Sequence, residues 1–252
     1  MNTIDRHQGI VALVEDGGDV AVSELAFRLG ASEATVRRDL ADLDARGLVR
    51  RYHGGARRAE LRGRVEPFAA RLSSNLPGKQ RIAQAVARLL APGEAVVIDS
   101  GTTGLEVAKA ITGKTLRVVP LSLPALTAVA TGERIQVTLP GGDLRPGEQS
   151  FAGPVTQRGL ADLRFDTALI APCALNVDTG PTAHDVEDAA VKQAAMRSAE
   201  RRILLCDQAK WGRTAFAAIA ELSAFDVLVT DHAVTDVERA RLDDAGIELV
   251  TA

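Results

Sequence analysis

Apolar residues recur at helical spacing through the first part of the chain and then give way to short runs typical of strands. Ile10, Val11, Leu13 and Val14 share one face of a predicted helix, which the Gly17-Gly18 pair closes. Val22 to Leu29 predicts a short second helix, capped by Ser23 and ended by Gly30. Ser32 is placed to cap a third, with Val36, Leu40 and Leu43 turned inward and Gly47 as its stop. Leu48, Val49 and Tyr52 then predict a strand, and Gly54-Gly55 its turn. A short helix, a glycine turn and a longer helix form a helix-turn-helix, and the hairpin behind it is a wing.

From Lys79 the pattern changes to alternation. Ile82, Val86, Leu89 and Leu90 mark a helix, "AVVID" a strand, "TTGLEVAKAI" a helix, "LRVVP" a strand, "LPALTAVAT" a helix and "IQVTLP" a strand. "DTALIAP", "RILLCD" and "DVLVTD" are further apolar strands separated by helical stretches. Near-continuous apolar strands alternating with helices predict an α/β domain with a mostly parallel sheet and helices on both faces. Between the two regions, residues 59–78 turn charged and then rich in Pro, Ser, Asn and Gly, which reads as a linker with one short helix. The expected organisation is a winged helix-turn-helix over 3–58, a linker over 59–78 and a second domain over 79–252.

Composition narrows the class. The 252 residues, 46% hydrophobic and 25% charged, fit a soluble chain with two cores, and there is no apolar run of about 18 residues to span a bilayer. The first residues carry acids inside their apolar part and no small-residue cleavage site, unlike a secretory signal. Cys173 and Cys206 lie far apart in apolar runs and read as reduced core thiols, so the expected place is the cytoplasm. The net charge of −3 hides a local imbalance: residues 45–64 hold seven arginines against Glu60 alone. A charge run is usually a solvated face, but this one is all arginine and begins where a helix stops. Arginine's planar fork suits phosphates and base edges. With the third helix packed inward, Glu33, Thr35, Arg37 and Arg38 fall on its exposed side. The predicted target is duplex DNA, contacted by these residues together with Ser23, Ser32, Arg50, Arg51, His53, Gly54 and Gly55.

In an open parallel sheet ligands bind beyond the carboxyl ends of the strands. After "AVVID" come Asp99 and the loop Ser100-Gly101-Thr102-Thr103-Gly104, whose N–H groups and hydroxyls suit an anion, most simply a phosphate. Taken alone, the loop reads equally well as a plain strand-to-helix turn. It lacks the Walker lysine and the dinucleotide glycine pattern, so neither NTP nor NAD is expected as a cofactor. Gly141-Gly142 form a second close-approach loop, and Asp207 and Lys210 follow another strand, with Lys192 in the helical stretch before it. The geometry expected is a phosphate at the N–H groups of Gly101, Thr102 and Thr103, balanced by Lys210, with Asp207 or Asp99 on a hydroxyl. No metal set and no catalytic set is assigned.

The stretch "SELAFRLGASEATVRRDLADLDARGLVRRYHGGA" resembles the winged helix of the DeoR family of bacterial transcriptional regulators. The Ser32-x-x-Thr35-Val36-Arg37-Arg38-Asp39-Leu40 run and the His53-Gly54-Gly55-Ala56 turn carry that likeness. Ala31, where valine is usual, and Gly9 in the first helix depart from the pattern. Residues 79–252 are similar to the family's sensor domain, which resembles ribose-5-phosphate isomerase in fold. This likeness rests on Asp99 to Thr103, Leu139 to Gly142, Gly153-Pro154 and Asp207 to Gly212. The resemblance implies a phosphorylated sugar or polyol as effector, and repression relieved when it binds. Pro120-Leu121-Ser122 replaces a usual Thr-Asn-Ser, and Ala171-Pro172-Cys173 a usual Ala-Asp-Gly, two losses of polarity expected at the pocket rim.

Two functions fit these features. One is a DNA-binding repressor of sugar or polyol metabolism genes, controlled by a sugar phosphate. The other is a sugar-phosphate isomerase or transferase fused to a DNA-binding module. An isomerase needs a carboxylate base and an acid around an open-chain sugar; Asp99, Glu187 and Asp207 are available, but fold likeness does not license catalysis. The winged helix, which an enzyme does not need, ranks the regulator first. Its expected partners are a double-stranded operator, a sugar phosphate and a second copy of the chain in a homodimer or higher oligomer, with no membrane.

Overall fold

The computed structural model describes residues 2–45, 48–52, 54–58 and 67–252. They divide into two compact units, Met1–Arg64 and Val65–Ala252.

In the first unit, α1 (Thr3–Gly17), β1 (Val20–Ala21), α2 (Val22–Leu29), α3 (Glu33–Ala45), β2 (Val49–Tyr52) and β3 (Gly55–Arg58) follow one another. Asn2 starts α1 by accepting the Asp5 N–H at 2.8 Å, and Ser32 starts α3 by accepting that of Thr35 at 3.2 Å. Gly30 ends α2 in the left-handed conformation, φ 60°. Ser23 does not cap α2, contrary to the expectation. Ala21 holds the cap position, because β1 pairs with β3 and the Val22 N–H is taken by the Gly54 carbonyl at 2.8 Å. Strand pairing, invisible in a two-residue strand's sequence, replaces the side-chain cap. The expected stop at Gly47 lies outside the described residues. Ile10, Leu25, Val36, Leu40, Leu43 and Val49 form the core, each contributing roughly 1.5–3 kcal/mol by burial.

In the second unit, α4 (Phe68–Ser73), α5 (Leu76–Leu89), β4 (Ala95–Ile98), α6 (Gly101–Ala110), β5 (Leu116–Pro120), α7 (Leu123–Val129) and β6 (Ile135–Val137) come first. A hairpin of β7 (Asp143–Arg145) and β8 (Ser150–Ala152) follows, then α8 (Gly153–Ala161) and β9 (Phe165–Ile170). The chain continues through β10 (Ala174–Asn176), β11 (Gly180–Ala183), α9 (Val186–Arg197), β12 (Ala199–Cys206) and β13 (Ala217–Ala218), and ends with β14 (Val227–Thr230), α10 (Asp236–Asp244) and β15 (Glu248–Thr251).

Among the described residues the main sheet runs β15-β14-β12-β9-β4-β5-β6, parallel throughout. Alternate residues of each central strand enter opposite layers. Val96, Ile98, Leu169, Ile203 and Leu205 pack under α5, α6 and α7. Val97, Ala168, Ile170, Leu204 and Cys206 pack under α8, α9 and α10. Burial on both faces explains the unbroken apolar runs. The small antiparallel sheet β10-β11-β13 and the β7–β8 hairpin were not expected from the pattern. The helix read as opening near Lys79 begins at Leu76, so Lys79 lies in its first turn and is 2% exposed.

Candidate functional site

On the first unit, Glu33, Arg37 and Arg38 of α3 are exposed and Thr35 is half-buried. Arg37 reaches back one turn to Glu33 at 2.6 Å, and the Thr35 and Ser32 hydroxyls lie 2.8 Å apart. Ser23 is exposed on α2. Arg50 and Arg51 of β2 are exposed, with Arg50 3.8 Å from Asp44. The register pairs Tyr52 with Gly55, leaving a two-residue turn. Gly54 has φ +94°, and a Cβ on Gly55 would lie 2.4 Å from both the Tyr52 hydroxyl and the Val20 carbonyl. Gly54 in the turn and Gly55 at the start of β3 are therefore both positions that need glycine. His53 lies outside the described residues. Asp39, next to the arginine pair, points inward: it accepts from Arg6 at 2.5 and 3.0 Å and lies 3.2 Å from His7. This bond anchors α3 to α1 and leaves its neighbours outward.

In the second unit a cleft opens at the carboxyl ends of β4 and β9. Ser100 and Gly101 from the turn after β4, Ala171, Pro172 and Cys173 after β9, and Lys192 and Lys210 all line it. Gly101 takes φ +89°, and a Cβ on Gly104 would lie 2.2 Å from the Asp99 carbonyl; both glycines let α6 start tightly against the strand. No side chain caps the α6 N-terminus. The Thr102 and Thr103 hydroxyls, on residues 2% and 0% exposed, have no hydrogen-bond partner among the described residues.

Beneath the cleft lies a buried charged cluster. Lys192 donates to both Asp99 oxygens at 2.8 and 2.7 Å and sits 3.1 Å from Asp188. Asp99 also accepts the N–H groups of Ser100 at 2.7 Å and Ala171 at 2.8 Å. Burial opposes the Lys192 charge, but Asp188 and Asp99 outweigh it and hold its pKa above the ordinary lysine value. Asp207 is 1% exposed, spends one oxygen on the Ala209 N–H at 3.1 Å and turns the other toward Lys210 at 3.8 Å. Lys79 donates to the carbonyls of Arg71 at 2.6 Å and Ser74 at 2.5 Å. Burial lowers its pKa, and Asp207 partly offsets that.

The structure thus brings Ser100, Gly101, Lys192 and Lys210 to one cleft, with Asp99 directly behind Lys192. Gly141 and Gly142 are not part of it. A Cβ on Gly142 would lie 1.9 Å from the Thr156 hydroxyl, which donates to the Gly141 and Ala152 carbonyls. These glycines pack a loop onto α8. Leu121 is 1% exposed in the core, so the Pro120-Leu121 pair removes no polarity from the cleft rim, whereas Pro172 and Cys173 do line it. Cys173 is half-buried with its thiol 3.7 Å from Asp188, so only Cys206 fits the expected core thiol. Sequence reasoning missed Arg71, Arg145, Glu148, Ser150, His184, Asp185 and Asp188, which complete the lining. The Pro146-Gly147 pair was the available signal for a hairpin bearing Arg145 and Glu148.

Residues 6–61 match the DeoR-like helix-turn-helix domain, and residues 74–232 the DeoR C terminal sensor domain. The chain belongs to the DeoR family. Its similarity to named DeoR-type relatives runs through both units. It is 33% identical over 246 residues to the HTH-type transcriptional regulator GlpR of Haloferax volcanii, covering 98% of this chain and 96% of that one. With the HTH-type transcriptional repressor CsqR of Escherichia coli it shares 32% over 246 residues, 97% and 94% of the two chains. With the glycerol-3-phosphate regulon repressor of Haemophilus influenzae it shares 33% over 233 residues, 89% and 88% of the two. Among solved structures, ribose 5-phosphate isomerase A from Methanocaldococcus jannaschii superposes with a TM-score of 0.42 at 15% identity, over 55% of each chain; so slight a likeness carries no argument. No helix among the described residues is long and apolar enough to cross a membrane.

Proposed function

We propose that this DeoR-family chain is a repressor that binds a duplex operator through α3 and the wing, and releases it when a phosphorylated sugar or polyol enters the cleft. The observation that carries the effector reading is the uncapped α6 N-terminus, whose Ser100 and Gly101 line the cleft together with Lys210. N–H donors and a cation together suit a phosphate. Relatives named for glycerol 3-phosphate support the same chemical class. Gly101, Thr102 and Thr103 would hold the phosphate and Lys210 would balance it, with Asp207 toward the hydroxyl end. Arg37 and Arg38 would read the major groove, and Arg50, Arg51 and the His53 turn would meet the backbone. Reading two half-sites requires a homodimer or larger assembly. Asp99, which directly follows β4, is saturated by Lys192 and two N–H groups and is not free to act as an isomerase's base, and the relatives compared above are named as regulators and repressors.

The test is a panel of sugar and polyol phosphates beside their unphosphorylated counterparts, read by thermal shift, by turnover and by release of operator DNA selected from a random duplex pool. Stabilisation and release by a phosphorylated member without turnover is the expected result. Turnover, or no response to any phosphorylated compound, overturns it.

A further inference from the structure

Among the described residues lining the cleft, Arg71, Arg145, Lys192 and Lys210 are cations, but each already faces a carboxylate. Lys192 is held by Asp99 and Asp188, Lys210 faces Asp207, Arg145 pairs with Asp185, and Arg71 pairs with Glu148. An entering dianion must therefore take a cation from an existing partner, and the partners differ in what they lose. Freeing Lys192 would leave Asp99, 2% exposed, as an unpaired buried charge. Glu148 sits on the turn between β7 and β8 with its side chain 23% exposed, and on release it returns to water. The backbone around it stays put, because the Leu123 N–H bonds the Gln149 carbonyl at 2.8 Å and the Phe151 N–H bonds the Leu121 carbonyl at 2.9 Å. Only a side chain has to move.

We propose that Arg71 is a second cation for the effector's phosphate, taken over from Glu148 by ion exchange. This rests on the effector reading above and goes beyond it by naming a residue and a competing internal anion. Arg71 lies on α4, the first described helix after the segment that follows the wing. Its own carbonyl accepts from the buried Lys79 at 2.6 Å, which fixes the backbone from which its side chain reaches the cleft. Glu148 then acts as a built-in competitor that sets the effector threshold, and an arginine fork suits a phosphate better than the single carboxylate it leaves.

The experiment uses the full chain, with inorganic phosphate as probe at constant ionic strength, and reads the phosphate concentration giving half the maximal thermal shift. Glu148→Gln, a mild change on an exposed turn, should lower that concentration about fivefold, the scale of a partly exposed ion pair. Arg71→Gln should raise it about tenfold or more, and Arg71→Lys, should Arg71→Gln fold poorly, should raise it less. Equal concentrations for wild type and Glu148→Gln overturn the exchange and leave the effector reading standing if wild type responds. Phosphate that stabilises neither protein also overturns the exchange, and the sugar-phosphate panel then decides separately whether the effector reading falls with it.

Discussion

The Lys192 ammonium lies within 2.8 Å of both oxygens of Asp99, and each side chain is 2% exposed. This contact ties α9 to the end of β4 and, through the Asp99 bond to the Ala171 N–H, to the end of β9. It is the girder under the cleft. Lys192→Met leaves two carboxylates, Asp99 and Asp188, facing each other without a counter-ion. The expected loss of stability is roughly 3–5 kcal/mol, read as a lower urea midpoint. Adding Asp99→Asn should restore much of it, since the buried Asp99 charge is removed and Asp188 no longer faces a like charge. Additive losses in the double variant would contradict the pairing.

Asp39 makes the first unit sensitive to acid. Its bond to Arg6 holds the carboxyl below the ordinary value of 3.8, against the opposing effect of burial and with help from His7. A depressed folded pKa means the stabilisation is complete above the unfolded value and is lost as pH falls through the folded one. The melting temperature of the wild type should therefore fall as the pH drops below about 4. Asp39→Asn should lower the melting temperature by a few degrees at neutral pH and flatten that acid dependence. An Asp39→Asn chain that keeps the full acid dependence would assign it to other carboxylates.

The arginines of α3 and of the wing should behave differently on DNA. Replacing Arg37 or Arg38 by Ala should cost roughly 1–3 kcal/mol on the operator and relax its sequence preference. Arg50→Ala should weaken all duplexes alike and reduce the slope of log affinity against log salt by about one. Arg37 must leave Glu33, 2.6 Å away, to reach a base, so Glu33→Gln should tighten binding. An Arg37→Ala, Arg38→Ala chain that holds its operator as well as wild type does would exclude α3 as the reading helix.

Lys210 is tethered only loosely, 3.8 Å from Asp207. Lys210→Ala should abolish operator release at effector concentrations that empty the wild-type complex, with operator affinity measured in the absence of effector as the folding control. Release at the wild-type concentration would remove Lys210 from the site.

The sequence alone was enough for what short-range periodicity and local turn chemistry encode. The inward row Val36, Leu40 and Leu43 set the exposed face of α3 that carries Arg37 and Arg38. The doubly apolar strands implied a parallel sheet, and the glycines at 101 and 104 marked a tight start for α6. What the sequence could not determine were relations between residues far apart in the chain. Lys192 and Asp99 are separated by 93 positions and Arg71 and Glu148 by 77, and only the order of strands in the sheet brings each pair together. The same long-range packing moved Gly141, Gly142 and Leu121 away from the cleft into close contacts and core. Periodicity records which side of an element is buried; what that side meets depends on folding, because the partner's identity is written nowhere near it.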